Sequence, residues 1–209
     1  MKHFAIADIH GCFDTLQALL NQLPLQAEDQ LVFLGDYVDR GPKSYDVLKF
    51  VSTHKGIYLK GNHEDFYLEY LSNPNNIGYV WFRNGGLQTI QSFKKNNAKL
   101  TDFTPFLLSC LLYHETDQSI YVHGGFNKTL EQSTDEDLLW SRAVINFTNK
   151  TIICGHTIHS QHFIKAQAHS TNVVHVDNGV FIRGDNDRGN LVAYCPEDKQ
   201  FWFQHNIDL

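Results

Sequence analysis

The sequence predicts an α/β fold in which two mixed β-sheets pack face to face with flanking helices, in a single domain over residues 1–209. Two patterns lead to this prediction. In the first third of the chain, an apolar run, a short polar tip and an amphipathic stretch follow one another three times, which is typical of stacked βαβ units. From Ser119 onward, short β-rich runs alternate with turn residues and predict a second sheet packed on the first.

Three strand-and-helix units account for the first part of the chain. Strands are predicted over residues 2–7, 31–34 and 56–60. The helices that follow them have apolar residues at helical spacing and are predicted from Phe13 to about Pro24, from Lys43 to His54 and from Glu64 to about Leu71.

The rest of the chain changes character twice. Roughly residues 73–118 are predicted to be helical and aromatic, including a stretch from Pro105 to Tyr113, with Asn84-Gly85-Gly86 marking a backbone position that needs a positive φ. Later strands are predicted over residues 119–123, 151–154, 172–176, 179–183, 190–195 and 200–204.

Composition excludes several functional classes. The chain has 17 basic and 23 acidic residues, a net charge of −6, which argues against sequence-independent nucleic-acid binding. The four cysteines are far apart and form no CxxC pair, so reduced buried thiols are expected rather than disulfides or a zinc ribbon. No apolar run approaches the ~20 residues of a membrane span. We therefore expect a soluble, cytoplasmic protein that binds neither nucleic acid nor membrane.

Side chains that can bind metal or phosphate lie at the ends of predicted strands. The central group is Asp36, Asp39 and Arg40, which follow the apolar run at residues 31–34. Similar tips carry Asp8 and His10, Asn62 and His63, His123, and His156. Open α/β sheets bind ligands at the carboxyl ends of their strands. Oxygen and imidazole ligands without thiolate suit Mn, Fe or Zn, and a pair of such ions ~3.5–4 Å apart promotes in-line displacement at phosphorus.

Five blocks occur in order between residues 8 and 157: Asp8-Ile9-His10-Gly11, Gly35-Asp36-Tyr37-Val38-Asp39-Arg40-Gly41, Gly61-Asn62-His63-Glu64, His123-Gly124-Gly125 and Gly155-His156-Thr157. They resemble the signature blocks of the phosphoprotein phosphatase family of calcineurin-like metallophosphoesterases, most closely its bacterial and phage lambda-phosphatase-like members. The chain departs from that pattern at Ala7, where the family commonly has Gly.

The resemblance implies two divalent metal ions, with Mn²⁺ expected and Fe or Zn as alternatives. It assigns Asp8 and His10 to the first ion, Asp36 to both, and Asn62, His123 and His156 to the second. A hydroxide held between the ions would attack phosphorus, its pKa lowered by the metals.

The resemblance also implies the remaining catalytic roles. Arg40 and Arg142 would bind phosphate oxygens, because a guanidinium can grip two of them at once. His63 would protonate the leaving alkoxide, with Asp39 fixing its orientation. The expected activity is that of a serine/threonine or dual-specificity protein phosphatase, whose partners are phosphorylated proteins or peptides.

Alternatives remain open for some residues. Arg142 could instead form a surface ion pair. His156, His159 and His162 could mimic a helical metal cluster, and His175 could replace His156 as a ligand, although only His156 lies in a family block. Asp177 could ligate a metal, but we favour a role in which it hydrogen-bonds to a residue that ligates the metal.

Two other functions are also open. The first is symmetric hydrolysis of diadenosine tetraphosphate; enzymes of that type carry Ala at the position of Asp39 and Asp at that of Glu64, and they are longer. The second is a catalytically inactive phosphatase fold that serves as a binding protein. Such proteins usually lose a ligand or the general acid, whereas here every expected position is filled.

Overall fold

A computed structural model describes residues 1–145, 148–167 and 172–209. Its strands, in chain order, are β1 (His3–Ile6), β2 (Gln30–Phe33), β3 (Ile57–Tyr58), β4 (Tyr113–Glu115), β5 (Ser119–Val122), β6 (Thr151–Cys154), β7 (Val173–His175), β8 (Asn190–Cys195) and β9 (Gln200–His205). Its α-helices are α1 (Phe13–Leu20), α2 (Ser44–Val51), α3 (Asn62–Ser72), α4 (Pro74–Trp81), α5 (Leu87–Lys95), α6 (Thr104–Ser109), α7 (Asp135–Trp140) and α8 (Gln161–Gln167).

The strands form two mixed sheets, as predicted. The first sheet has the order β3-β2-β1-β8-β9. Strands β1, β2 and β3 are parallel, β8 pairs antiparallel with β1, and β9 pairs antiparallel with β8. The second has the order β4-β5-β6-β7, with β5, β6 and β7 parallel and β4 antiparallel.

Part of the main core lies between the sheets. One buried cluster joins Phe4 of β1 and Val192 of β8 to Tyr121, Ile153 and Val174 of the second sheet. Alternate residues on those second-sheet strands, Ile120, Val122, Ile152 and Cys154, belong to a smaller cluster. Because successive side chains of a strand point to opposite faces, this alternation shows that one face of the second sheet packs on the first. The predicted face-to-face arrangement is therefore confirmed.

Helices cover the first sheet through their apolar faces. Leu16 and Leu19 of α1, and Val47, Leu48 and Val51 of α2, are fully buried in the main core. Among the described residues, no helix is long and apolar enough to cross a membrane.

Two sequence predictions about elements are wrong. Residues 179–183 form no strand, because Gly179 has a φ of 67° and Asn178 ties the loop to its neighbours through bonds to the His159 and Asp187 carbonyls. Residues 113–115 pair with β5 instead of continuing the helix predicted from Pro105, since α6 ends at Ser109. The two short helices α7 and α8 were not predicted.

The parallel strands of both sheets deliver their carboxyl ends to one edge of the molecule. Hydrogen bonds lock the loops there: the amides of Ile9 and His10 donate to the Asp36 carbonyl at 3.0 and 2.8 Å. The two sheets are joined at this edge by His123, whose Nδ1 lies 2.9 Å from the Leu34 carbonyl oxygen. The loop side chains therefore converge.

Candidate metal centre

The loops at this edge enclose a cavity of about 240 Å³. Its lining includes eight of the residues singled out from the sequence: Asp8, His10, Asp36, Arg40, Asn62, His63, Arg142 and His156. His123 and Asp39 lie just beneath, fully buried, in contact with Asn62 and His63 respectively. The structure thus brings together every sequence-predicted site residue.

The backbone is strained where these side chains are presented. Left-handed φ values occur at His10 (46°), Asp36 (50°), Asp39 (72°), Arg40 (67°) and His156 (61°). Non-glycine residues rarely adopt this region, and such strain persists only where the surrounding structure enforces it. Glycine would relieve the strain but would remove the side chain. The functional side chains are therefore kept at a cost in local stability.

Asp36 occupies the middle of the cluster. Its Oδ2 lies 3.5 Å from His10 Nε2, and its Oδ1 lies 3.4 Å from His123 Nε2. Gly61 allows this position, because a Cβ there would lie 2.1 Å from Asp36 Oδ1. The two carboxylate oxygens therefore face two different imidazoles.

The tautomers of those imidazoles are set by the backbone. Nδ1 of His10 lies 3.0 Å from the Val38 carbonyl oxygen, and Nδ1 of His123 contacts the Leu34 carbonyl oxygen. A carbonyl oxygen only accepts, so Nδ1 carries the proton and each neutral ring turns the lone pair of Nε2 toward Asp36. A lone pair aimed at a carboxylate oxygen is repulsive unless a cation lies between them.

A second group of ligand atoms converges on Asn62. Its Oδ1 lies 2.9 Å from His123 Nε2 and 2.9 Å from His156 Nδ1, while His156 Nε2 is buried without a hydrogen-bond partner among the described residues. With the Asn62 oxygen turned toward the His123 lone pair, two acceptors face each other, an arrangement that fits a cation between them.

The pKa shifts of the buried carboxyl and imidazole groups also fit a bound cation. Burial, with Asp177 and Asp36 nearby, raises the pKa of Asp8 well above its ordinary value, and burial raises the pKa of Asp177 to about 6. Burial also lowers the pKa of His10 and His123, so these rings stay neutral, as metal ligands must be.

The donor set therefore fits divalent cations. Ligand atoms of Asp8, Asp36 and His123 lie within 4.8 Å of one another, and the same holds for His10, Asp36 and His63. Asp36 belongs to both sets, which fits two ions bridged by its carboxylate. This grouping differs from the expected ligand sets, because it places Asp8 with His123 and places His10 with His63, to which no metal was assigned.

His63 and Asp39 form a buried pair. His63 Nδ1 lies 2.7 Å from Asp39 Oδ2, and its Nε2 faces the cavity, 3.1 Å from Arg40 Nη2. Trp81 Nε1 donates to both Asp39 oxygens at 2.9 and 3.1 Å, and Thr89 Oγ1 donates to Oδ1 at 2.6 Å. Burial alone would lower the pKa of His63, but Asp36 and Asp39 raise it. The two carboxylates favour a protonated imidazole, whereas the Arg40 guanidinium, which can only donate, faces the Nε2 lone pair in this arrangement.

Arg40 is held over the cavity by its neighbours. Its guanidinium carbon lies 4.0 Å from the centre of the Phe181 ring, and its amide donates to the Gly85 carbonyl at 3.3 Å. Gly85 has a φ of 105°, and a Cβ there would lie 2.5 Å from the Arg40 nitrogen. The interruption seen in the sequence at Asn84-Gly85-Gly86 therefore serves the close approach of this chain segment to Arg40.

The structure shows where the residues lie whose roles the sequence left open. Arg142 lines the cavity, is exposed and makes no ion pair with a carboxylate among the described residues. His175 does not line the cavity, and its Nδ1 lies 3.1 Å from Cys154 Sγ. Asp177 lines the cavity and accepts a hydrogen bond from the Gly179 amide. These positions favour the phosphate role for Arg142 and leave His175 outside the centre.

Glu64 supports the Asp36 loop from below. It is fully buried, and its two oxygens accept hydrogen bonds from four backbone amides, those of Asp36, Tyr37, Val38 and Gly61, at 2.7 to 3.3 Å. Burial and the nearby Asp36 carboxylate raise the pKa of Glu64 to about 8, because both disfavour its charged form. The four amide donors offset part of this cost.

Replacing Glu64 by Gln should destabilise the protein and weaken metal binding. The new NH₂ group would face two amide donors, and each N–H left without an acceptor costs about 1–3 kcal/mol. Thermal denaturation and metal titration measure both effects. Asp65→Asn is the matched control, because that side chain is exposed in the same helical turn. Equal melting temperatures for the two variants would contradict a supporting role for Glu64.

Three residues that position the site were not identified from the sequence: Trp81, Thr89 and Phe181. All three come from segments distant from the side chains they hold. Of the three, only Trp81 could have been suspected from the sequence, because an indole N–H that becomes buried needs an acceptor.

Comparison with known proteins agrees with this geometry. A family model described as calcineurin-like phosphoesterase matches residues 1–203. The asymmetrical bis(5′-nucleosyl)-tetraphosphatase PrpE of Bacillus velezensis is 43% identical over 88 residues, covering 35% of this chain and 35% of that protein.

Two further relatives are named for different activities. Serine/threonine-protein phosphatase 2 of Escherichia coli is 38% identical over 84 residues, covering 40% of this chain and 38% of that protein. The symmetrical bis(5′-nucleosyl)-tetraphosphatase of Neisseria gonorrhoeae is 46% identical over 71 residues, covering 32% of this chain and 25% of that protein. The chain thus spans 38% or less of the length of these curated relatives.

Proposed function

The chain belongs to the calcineurin-like phosphoesterase family, and we propose that it is a metal-dependent phosphoesterase that hydrolyses phosphomonoesters on serine and threonine residues of proteins. Phosphorylated proteins or peptides are then its partners, and two divalent ions, with Mn²⁺ as the proposed metal, its cofactors.

The observation that carries this proposal is the pair formed by His63 and Asp39. A serine alkoxide is a strongly basic leaving group and needs a proton as it departs, which a positioned general acid supplies. His63 Nε2 faces the cavity, and the 2.7 Å contact of Nδ1 with Asp39 fixes the ring. A nucleotide leaving group is far less basic and needs little such help. A buried, fully braced acid is therefore best explained by an alcohol leaving group.

The other residues bind and orient the phosphoryl group. When bound, the two ions would lower the pKa of a water and neutralise charge on the phosphate. Asp36 would hold both ions, with Asp8 and His10 on one side and Asn62, His123 and His156 on the other. Arg40 and Arg142, which both line the cavity, would grip the phosphate oxygens.

The size of the cavity is compatible with this function. At about 240 Å³ it is smaller than the ~300–1,000 Å³ typical of sites that enclose a small-molecule ligand. It has room for a phosphoryl group and its attachment, and the remainder of the substrate would lie on the surface.

Hydrolysis of dinucleoside tetraphosphates is the second candidate. It is favoured by two of the relatives, which are named as an asymmetrical and a symmetrical tetraphosphatase. Direct comparison with Mn²⁺ separates the two functions: we expect a higher kcat/KM for a phosphoserine peptide than for diadenosine tetraphosphate. The reverse order would transfer the assignment to the dinucleotide, and its products, two ADP or ATP plus AMP, would then show where the chain is cut.

A further inference from the structure

A groove beside the catalytic cavity has no role in the chemistry described so far. It has a volume of about 570 Å³ and shares Arg40, Asn84 and Ile158 with the cavity, so the two are continuous. It runs between the segment that links α4 to α5 and the loop that follows β7. We call it the side groove and define it by Arg83, Asn84, Leu87, Ile158, Phe181 and Arg183.

The charge of the side groove is opposite to that of the protein. The chain has a net charge of −6, yet no Asp or Glu side chain lines the groove; its lining includes Arg40, Arg83 and Arg183, together with the last residue, Leu209. Both are exposed, and neither forms an ion pair within the described ranges. Arg83 is directed by Tyr79, whose hydroxyl oxygen accepts from Nη1 at 2.9 Å. Two arginines that form no ion pair among the described residues, next to a phosphate site, favour an anionic ligand.

The remaining lining suits a polypeptide better than a nucleobase. Leu87 is 47% exposed, and Ile158 is partly so. The Phe181 ring already packs against the Arg40 guanidinium at 4.0 Å, so this face is not free to stack on a base. Asn84 donates its side-chain N–H to the Val80 carbonyl, and its side-chain oxygen accepts no hydrogen bond from the described residues. That oxygen lies where the cavity meets the groove and could accept from a peptide amide.

We propose that the side groove binds the residues next to the phosphorylated residue of a substrate and selects substrates with acidic side chains there. This inference rests on the proposed protein phosphatase function. Arg83 and Arg183 are the residues that determine the preference, and the exposed apolar side chains contact the backbone and neighbouring side chains of the peptide. The preference should weaken with rising ionic strength, because the charges are exposed.

The test uses two phosphoserine peptides of equal length that differ only in carrying Glu or Gln at the three positions on each side. The wild-type protein with Mn²⁺ should hydrolyse the Glu peptide with a kcat/KM about 3- to 10-fold higher, in the range expected for a few exposed charge contacts. The Arg83→Glu/Arg183→Glu double variant should reverse this ratio. Lys55→Glu is the control for a charge reversal remote from the groove, because Lys55 is exposed and precedes β3, at the end of the strands opposite the site.

The outcomes are distinguishable. Equal rates on both peptides, or an unchanged ratio in the double variant, overturn the role of the groove and leave the phosphatase function standing. Activity on para-nitrophenyl phosphate with none on either peptide contradicts the proposed function and this inference with it. A loss of diadenosine tetraphosphate hydrolysis in the double variant, without a change in the peptide ratio, would assign the groove to polyphosphate instead. If circular dichroism shows the double variant unfolded, Arg83→Gln and Arg183→Gln carry the same test, with loss of the preference as the expected result.

Discussion

Replacing Asp36 by Asn should remove nearly all phosphoesterase activity and release bound metal. Asp36 is the residue whose two oxygens face the two groups of ligand atoms, at 3.5 Å from His10 and 3.4 Å from His123. The amide offers one neutral oxygen and an NH₂ group, so it cannot hold two cations. Changes to groups that merely support metal ligands already cost about 10- to 100-fold, so loss of a bridging ligand should cost at least about 100-fold in kcat/KM. Metal analysis and steady-state kinetics measure both effects.

The fold of this variant should persist. Asn has nearly the shape of Asp, and an amide oxygen at the Oδ1 position can still accept from the His63 amide, now bonded at 3.0 Å. His175→Asn is the matched control, because that ring contacts Cys154 and not the cavity. It should leave metal content unchanged. If Asp36→Asn keeps two metals and near-normal activity, the bridging assignment is wrong; if His175→Asn loses an ion, His175 and not His156 is the ligand.

Much of the candidate site could be predicted because its residues follow strands. Short buried runs such as residues 31–34 identify strands from local periodicity, and parallel strands end at a common edge. Chemically distinctive side chains just after those runs therefore had to meet. The five blocks added the expected roles, and the structure shows that Asn62, His123 and His156 converge within hydrogen-bond distance.

What could not be predicted depends on contacts between distant segments. The loop at residues 177–189 contains a short apolar run, Val180-Phe181-Ile182, that resembles a strand, but its shape is set by the side chain of Asn178 and the left-handed Gly179. The same loop supplies Phe181, which packs on Arg40 from far along the chain. Likewise, Trp81 reaches Asp39 only through the packing of α4. Local pattern has no information on such partners.

The role of His63 can be tested through the leaving group. His63→Asn should slow hydrolysis of a phosphoserine peptide by about 100- to 10,000-fold, the usual contribution of a general acid. It should slow hydrolysis of para-nitrophenyl phosphate far less, because nitrophenolate is stable as an anion and departs without a proton. Metal content should stay normal, even though His63 Nε2 lies 3.9 Å from Asp36 Oδ2, because the other ligands remain.

Asp39→Asn should give a weaker form of the same result. It keeps an oxygen that Trp81 and Thr89 can reach but weakens the hold on His63 Nδ1, so it should show the same dependence on the leaving group to a smaller extent. A packing role for His63 predicts something different: equal losses on both substrates and a lower melting temperature. Equal losses with normal stability and metal content would also exclude the acid role and would make His63 a residue that positions phosphate or water. Loss of metal in His63→Asn would instead place His63 among the ligands, as its distance from His10 and Asp36 allows.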